Sequence, residues 1–298
     1  MTGAPAYHAA AFGLRWLSDT PLAHFETTAP GDADVRVARA TTLAQREPLA
    51  QVRRGQVYAD GTRFPWEDEA VFDTHQGAHV DYLPGPDWTG ALPYAFYGTV
   101  AAHLLAWRGL VPLHACAVEI GGKALLIAGT SGAGKSSLMA GLLGCGATLV
   151  SDDLTALAIR DGVAEVLPGR TTIRLGPEIA HWTAGEQIVP PSPATRGKHV
   201  IRPAARTRAE RLSLAGLLLL GAAPGAVPPP ARALALARHL FRPVWLAALP
   251  NHRARLQALL DLAASLPVIG FPRVERTGED AHRERARRAL ALAESLSS

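Results

Sequence analysis

The chain has 298 residues, 48% of them hydrophobic and 19% charged, which allows one or two folded domains and excludes a disordered chain. The formal net charge of +4 is mild and carried almost wholly by scattered arginines, and no motif for reading nucleic acid accompanies it, so small acidic ligands are expected and DNA or RNA is not. The oiliest run, Leu212 to Ala223, is too short for a bilayer and the opening MTGAPAYHAAAFGL lacks a basic region before a long apolar stretch; a cytoplasmic protein without membrane contact is expected.

Short alternating segments punctuated by turns predict a small, mainly β lobe over residues 1–98. Its candidate strands are Phe12 to Leu17, Val35 to Ala38, Val52 to Tyr58, Val71 to Asp73 and Val80 to Tyr82, with a hairpin turn at Ala59-Asp60-Gly61-Thr62. Trp16, Trp66, Trp88, Tyr94, Phe96 and Tyr97 suit its core or its seam better than a ligand platform. From Leu92 to Arg108 apolar residues recur at helical spacing, predicting an amphipathic helix that leads into a second domain, residues 99–298. His103 on that helix reads as structural.

The second domain reads as α/β. Ala115 to Ile120 and Ala124 to Ala128 form a hairpin around Gly121-Gly122, and a turn of that kind could bring His114 near the end of the second strand. That strand breaks into Gly129, Thr130, Ser131, Gly132, Ala133, Gly134, Lys135, Ser136 and Ser137, which contains G-x-x-x-x-G-K-[ST], the phosphate-binding loop pattern. In this pattern the loop turns successive N–H groups onto phosphate oxygens, the lysine reaches the β and γ phosphates, and the serine after it holds Mg²⁺. A helix over about Ser136 to Leu143 would present its positive end to the anion. The chain has three lysines, Lys123, Lys135 and Lys198, so a lysine at the motif position is a specific signal, and ATP with Mg²⁺ is the expected ligand.

Gly144-Cys145-Gly146 ends that helix, Ala147 to Ser151 reads as the next strand, and Asp152-Asp153 stands at its end. With a right-handed crossover and the two strands as parallel neighbours, the aspartates emerge at the mouth of the loop. One acid there suits Mg²⁺ and the other suits taking a proton from an attacking hydroxyl; a turn or N-cap built on aspartate is the plainer alternative. Cys116 and Cys145 read as packing thiols.

Beyond the doublet, Thr155 to Ile159 and Ala164 to Leu167 form a hairpin around Arg160-Asp161-Gly162. Arg170 and Arg174, beside a strand Ile173 to Leu175, are either surface cations or stabilisers of transferred phosphate. A short helix starts at Pro177-Glu178, and a mobile loop between Val189 and Pro203 carries Lys198 as either a solvated charge or a ligand contact. Then come a buried strand Leu212 to Leu220, a Pro228-Pro229-Pro230 linker and a helix Ala231 to Leu249 interrupted near Pro243. A helix Leu256 to Leu266, a strand Val268 to Phe271 and an arginine-rich helix His282 to Leu296 close the chain.

Leu113-His114-Ala115, the loop GTSGAGKS and Leu149-Val150-Ser151-Asp152-Asp153 together resemble the catalytic core of the HPr kinase/phosphorylase family, over about Pro112 to Leu157 and more weakly to about Gly270. The resemblance implies a mixed α/β P-loop core related in fold to phosphoenolpyruvate carboxykinase, using ATP and Mg²⁺ to phosphorylate a serine of a protein or precursor peptide. By position it implies His114 near the phosphate and the catalytic acid, Lys135 on the phosphates, Ser136 and Asp153 on Mg²⁺, and Asp152 as the base. The family's second signature, an E-V-R-G-L-G-like run tied to phosphorolysis, has no counterpart; Pro168-Gly169-Arg170-Thr171-Thr172-Ile173-Arg174-Leu175 stands in its place. A kinase without the reverse activity is therefore expected, similar to the smaller kinase-like relatives of peptide natural-product pathways, including those of lasso peptides. Homo-oligomer formation stays open, as do two rivals: a small-molecule kinase and a non-catalytic, ATP-dependent peptide-binding module.

Overall fold

A computed structural model describes residues 5–189, 195–273 and 278–297. They form a mixed α/β protein with three sheets. The chain divides into two compact units, one running to Pro112 and taking back Phe241–Leu256, the other made of Leu113–Leu240 and the chain from Gln257 onward. Among the described residues no helix is long and apolar enough to cross a membrane.

The first unit is built on a nine-stranded sheet in the order Glu26–Thr27, Tyr7–Ala11, Leu14–Ser18, Val35–Arg39, His79–Pro84, Ala70–His75, Gly61–Trp66, Gly55–Tyr58, Ala50–Val52. Val35–Arg39 runs parallel to both of its neighbours. The strand expected over Phe12 to Leu17 is instead half of a hairpin: Ala11 pairs with Leu14 around Phe12-Gly13, which have φ of 58° and 70°. A left-handed phenylalanine strains the backbone, and the strain is offset because the ring is fully buried, edge-on to Phe25 at 5.9 Å. For the same reason of turn geometry, the run Val52 to Tyr58 divides at Arg53-Arg54 into two strands, with Val52 paired to Gly55. The helix expected from Leu92 starts later, as a π-helical turn Phe96–Val100 continuing into Ala101–Trp107. Phe96 and Tyr97 are buried there with Trp16 and Phe25, whose rings lie 5.0 Å apart.

Charge is buried in this unit too, and at Asp73 it is matched. Asp73 takes Arg46 on one carboxylate oxygen and Arg63 on the other at 2.5 Å, while the Arg46 guanidinium lies 3.9 Å from the centre of the Tyr58 ring. His103 is buried between the rings of Phe64 and Trp245, with Nδ1 2.6 Å from the Thr99 carbonyl oxygen.

In the second unit the sheet runs Thr155–Arg160, Val163–Leu167, Leu212–Leu220, Lys123–Gly129, Ala115–Ile120, Thr148–Ser151, with Val268–Phe271 also on Leu212–Leu220. Lys123–Gly129 and Thr148–Ser151 run in the same direction but are not neighbours, contrary to expectation, because Ala115–Ile120 lies antiparallel between them. The tight Gly121-Gly122 turn folds Ala115–Ile120 directly onto the next strand and takes that seat before the crossover returns. The parallel neighbour of Lys123–Gly129 is Leu212–Leu220, far along the chain.

Lys135–Gly144 packs its apolar residues Leu138, Met139 and Leu142 into a core with Leu125, Ile127, Ala286 and Ala289. Full burial of each leucine contributes roughly 1.5–3 kcal/mol. The proline run is no linker: Pro229–Arg238 begins inside it, since proline at the first helical positions gives up only a donor that has no partner there. The following helix breaks at Arg242 (φ 53°), so only Pro243–Leu246 of the expected continuation is helical. The turn after Pro177 is a 3₁₀ helix, Ala180–Trp182. Part of the loop expected over 189–203 lies outside the described residues, and its end is the strand His199–Pro203, in a small sheet with Ile173–Leu175 and Gly185–Val189.

Candidate active site

Strand register gathers the motif residues at one end of the second unit's sheet. Ala115 sits opposite Ala128, and Ala117 opposite Ser151. Where Ala115–Ile120 begins, just after His114, its two antiparallel partners therefore end, one at Gly129 and the other at Ser151, just before Asp152. The fixed 180° reversal of an antiparallel pair does this, so His114, the glycine loop and the aspartates share an edge although the two outer strands do not touch.

The loop is shaped by close approach. A Cβ on Gly129 would stand 2.9 Å from Leu220 Cβ and 3.1 Å from Ala133 Cβ, so only glycine lets the strand end that near its parallel neighbour. Gly134, at φ 89°, enters Lys135–Gly144 without any side-chain cap, leaving the first-turn N–H groups of that helix to other partners. Thr130, Ser131 and Gly132 are exposed, Ala133 is buried, and Gly134, Lys135, Ser136 and Ser137 are half-buried. Lys135 Nζ donates to the carbonyls of Gly129 at 2.8 Å and Thr130 at 3.4 Å, which arches the side chain over the loop. Arg273 closes the other flank, donating to Thr130 Oγ1 at 3.1 Å.

The two aspartates have different surroundings. Asp152 is 3% exposed; its Oδ1 accepts from the Cys116 thiol at 3.3 Å and its Oδ2 from the Arg174 backbone N–H at 3.1 Å. Its carbonyl oxygen accepts from Arg170 NH2 at 2.5 Å. Asp153, in the left-handed region at φ 65°, turns its side chain outward, where it is 23% exposed. Its Oδ1 lies 3.4 Å from His114 Nδ1, and its Oδ2 lies 3.4 Å from Arg170 and 3.8 Å from Arg174. Burial pushes the Asp153 pKa up, but Arg170, His114, Arg174 and Lys135 outweigh it and hold the carboxyl below its usual value.

Three participants were not singled out by the sequence as partners of the doublet or the loop. Cys116 reads as packing in the sequence; in the fold its thiol donates to Asp152 Oδ1, and burial and the Asp152 charge raise its pKa. His239 accepts the His114 backbone N–H at 2.7 Å on its carbonyl, and burial plus the charges of Lys135, His114 and Arg238 lower its imidazole pKa to about 4. Arg273 reaches the loop from just beyond the strand Val268–Phe271. Arg170, left open between surface and site, is 1% exposed and holds both aspartates. Lys198 stands in a turn, its N–H on the Thr195 carbonyl at 3.2 Å.

This donor set fits a polyphosphate: a loop with glycines at positive φ at Gly132 and Gly134, an uncapped helix start, and cations on several sides. Among the described residues no three His, Cys, Asp or Glu side chains converge as a metal cage. Mg²⁺ does not require one, since one or two carboxylates with phosphate oxygens commonly suffice. No protein-family model and no curated protein matches the chain. Among solved structures it is similar to the Hpr(Ser) kinase/phosphatase from Coxiella burnetii, at 14% sequence identity and a TM-score of 0.34, over 62% of this chain and 97% of that one.

Proposed function

We propose that the chain is an ATP-dependent serine kinase that transfers the γ-phosphate to a seryl hydroxyl of a protein or precursor peptide, without the reverse reaction. The observation that carries this reading is the His114–Asp153 pair, braced by Arg170 and Arg174, on the same sheet edge as the glycine loop. Residues Gly129 to Ser137 would hold the polyphosphate through backbone N–H groups and Lys135. Ser136, together with the phosphate oxygens, would hold Mg²⁺, which supplies charge neutralisation at the phosphate when bound.

Exposure favours Asp153 over Asp152 as the group that takes the seryl proton. Asp152 has both oxygens engaged by Cys116 and the Arg174 N–H, and so positions the turn. Asp153 keeps an outward carboxylate, ionised by its cationic neighbours, with His114 on Oδ1 to orient it. Arg170 and Arg174 then counter the charge that builds on the transferring group.

The test uses the full chain, γ-labelled ATP and a serine peptide. Lys135→Ala is expected to lower transfer on the order of a hundredfold or more. Asp153→Asn is expected to lose transfer while keeping ATP binding. Full transfer by a folded Asp153→Asn protein, with transfer lost in Asp152→Asn, would return the base to Asp152. Phosphate appearing only on metabolites would replace the peptide by a small-molecule acceptor.

A further inference from the structure

The C-terminal helix Glu279–Ser297 lies against Lys135–Gly144 through small residues: a Cβ on Gly141 would stand 2.9 Å from Ala286 Cβ. That close approach carries Arg285 to the loop. Arg285 is 8% exposed, and its NH2 donates to the Pro272 carbonyl at 3.0 Å. Its guanidinium carbon is 5.2 Å from the centre of the Phe271 ring, and among the described residues its Nε and NH1 are buried without a hydrogen-bond partner. Burial lowers its pKa from the usual arginine value. NH1 stands 3.2 Å from the point that a Cβ on Gly134 would occupy, at the uncapped start of the loop helix.

A buried guanidinium with open donors and no anion is among the least favourable groups a fold can hold, and an apolar side chain of similar size would remove the cost. Such a group is explained when its donors meet a charge that is supplied from outside the chain. We propose that Arg285 is a phosphate-binding residue, reaching from the C-terminal helix to the anion seated at the N-terminus of Lys135–Gly144. The proposal rests on the reading of Gly129 to Ser137 as a polyphosphate site, and it makes the C-terminal helix part of that site. Lys135 contributes a point charge there, whereas the planar fork of Arg285 adds directed donors.

The experiment titrates the full chain with Mg·ATP, and separately with magnesium pyrophosphate, by calorimetry, and records thermal unfolding with and without each ligand. Arg285→Met is expected to bind both ligands about 10- to 100-fold more weakly, the range for losing a charge-assisted hydrogen bond. Its ligand-free melting temperature is expected to hold level or rise, because an unpaired buried charge has gone. Arg285→Lys, which keeps charge without the fork, is expected to recover part of the affinity. A merely structural arginine would show the opposite pattern, a lower ligand-free melting temperature with unchanged affinity, and that result overturns the proposal while leaving the loop reading intact. A loss confined to ATP, with pyrophosphate bound as by wild type, overturns it as well, since the contact would not be to phosphate. If the wild-type chain binds neither ligand, the proposal and the polyphosphate reading fall together.

Discussion

In the first unit, Asp73 is enclosed by Arg46 and Arg63, Arg46 also holds Asp60 at 2.6 Å, and the cation rests on an aromatic face. Around the glycine loop the accounting runs the other way. Lys135, Arg170, Arg174 and His114 all act on the single carboxylate of Asp153, and among the described residues two nitrogens of Arg285 have no hydrogen-bond partner. Both regions use buried arginine, and at Asp73 the cations are matched by carboxylates of the fold itself. Matched charge serves to lock a sheet; under the proposed function, the positive charge beside the uncapped helix start is what a ligand's phosphates would balance.

The difference can be broken from either side. The largest effect is expected from Asp73→Ala, which strands two arginines and should cost about 3–5 kcal/mol of stability in urea unfolding without altering nucleotide affinity. A loss of under about 1 kcal/mol would show that the first unit's charges are as dispensable to the fold as surface pairs. Next is pH. Burial and the charges of Arg242 and Arg255 lower the His103 pKa to about 4 from 6.5. The folded state therefore binds this proton less tightly than the unfolded state. Its contribution is complete above about pH 6.5, falls as pH drops toward 4, and is flat below that, by about 3 kcal/mol at most. His103→Phe, which keeps the ring between Phe64 and Trp245, should flatten the stability profile in that window; an unchanged slope would assign the pH dependence to other groups. The smallest expected change in stability is for Arg174→Gln, under about 1 kcal/mol, because the backbone N–H to Asp152 is retained. Transfer should nonetheless drop about tenfold, and a variant that loses stability but not transfer would move Arg174 to the structural side.

What the sequence made legible was local. Three glycines, a lysine and a serine within eight residues describe the loop because its shape depends on neighbours in the chain, and the same holds for the Arg160-Asp161-Gly162 hairpin. What it concealed depends on distant partners. Nothing near Ala115–Ile120 says that it will separate the two parallel strands, and nothing near Leu212 says that it will pair with Lys123–Gly129. Phe12 reads as a strand residue until Phe25 is found against its ring. Cys116 reads as a packing thiol, and Arg170 stays open between surface and site, because a thiol's acceptor and an arginine's burial are properties of the folded surroundings. The candidate site was thus legible in its glycine loop and hidden in the contacts that hold the aspartates in place.

The return of Phe241–Leu256 to the first unit bears on how the protein is made. Trp245 fits over Gly55 where a side chain would collide, Phe241 N donates to the Pro112 carbonyl at 2.9 Å, and Arg255 donates to the Ala106 carbonyl at 3.0 Å. On the ribosome, the nine strands emerge long before these partners do, so the lobe must wait with its Trp245 socket open while all of Leu113–Leu240 is translated. A fragment ending at Pro112 would inherit that open socket permanently, which makes it a natural client for chaperones and a poor candidate for independent expression.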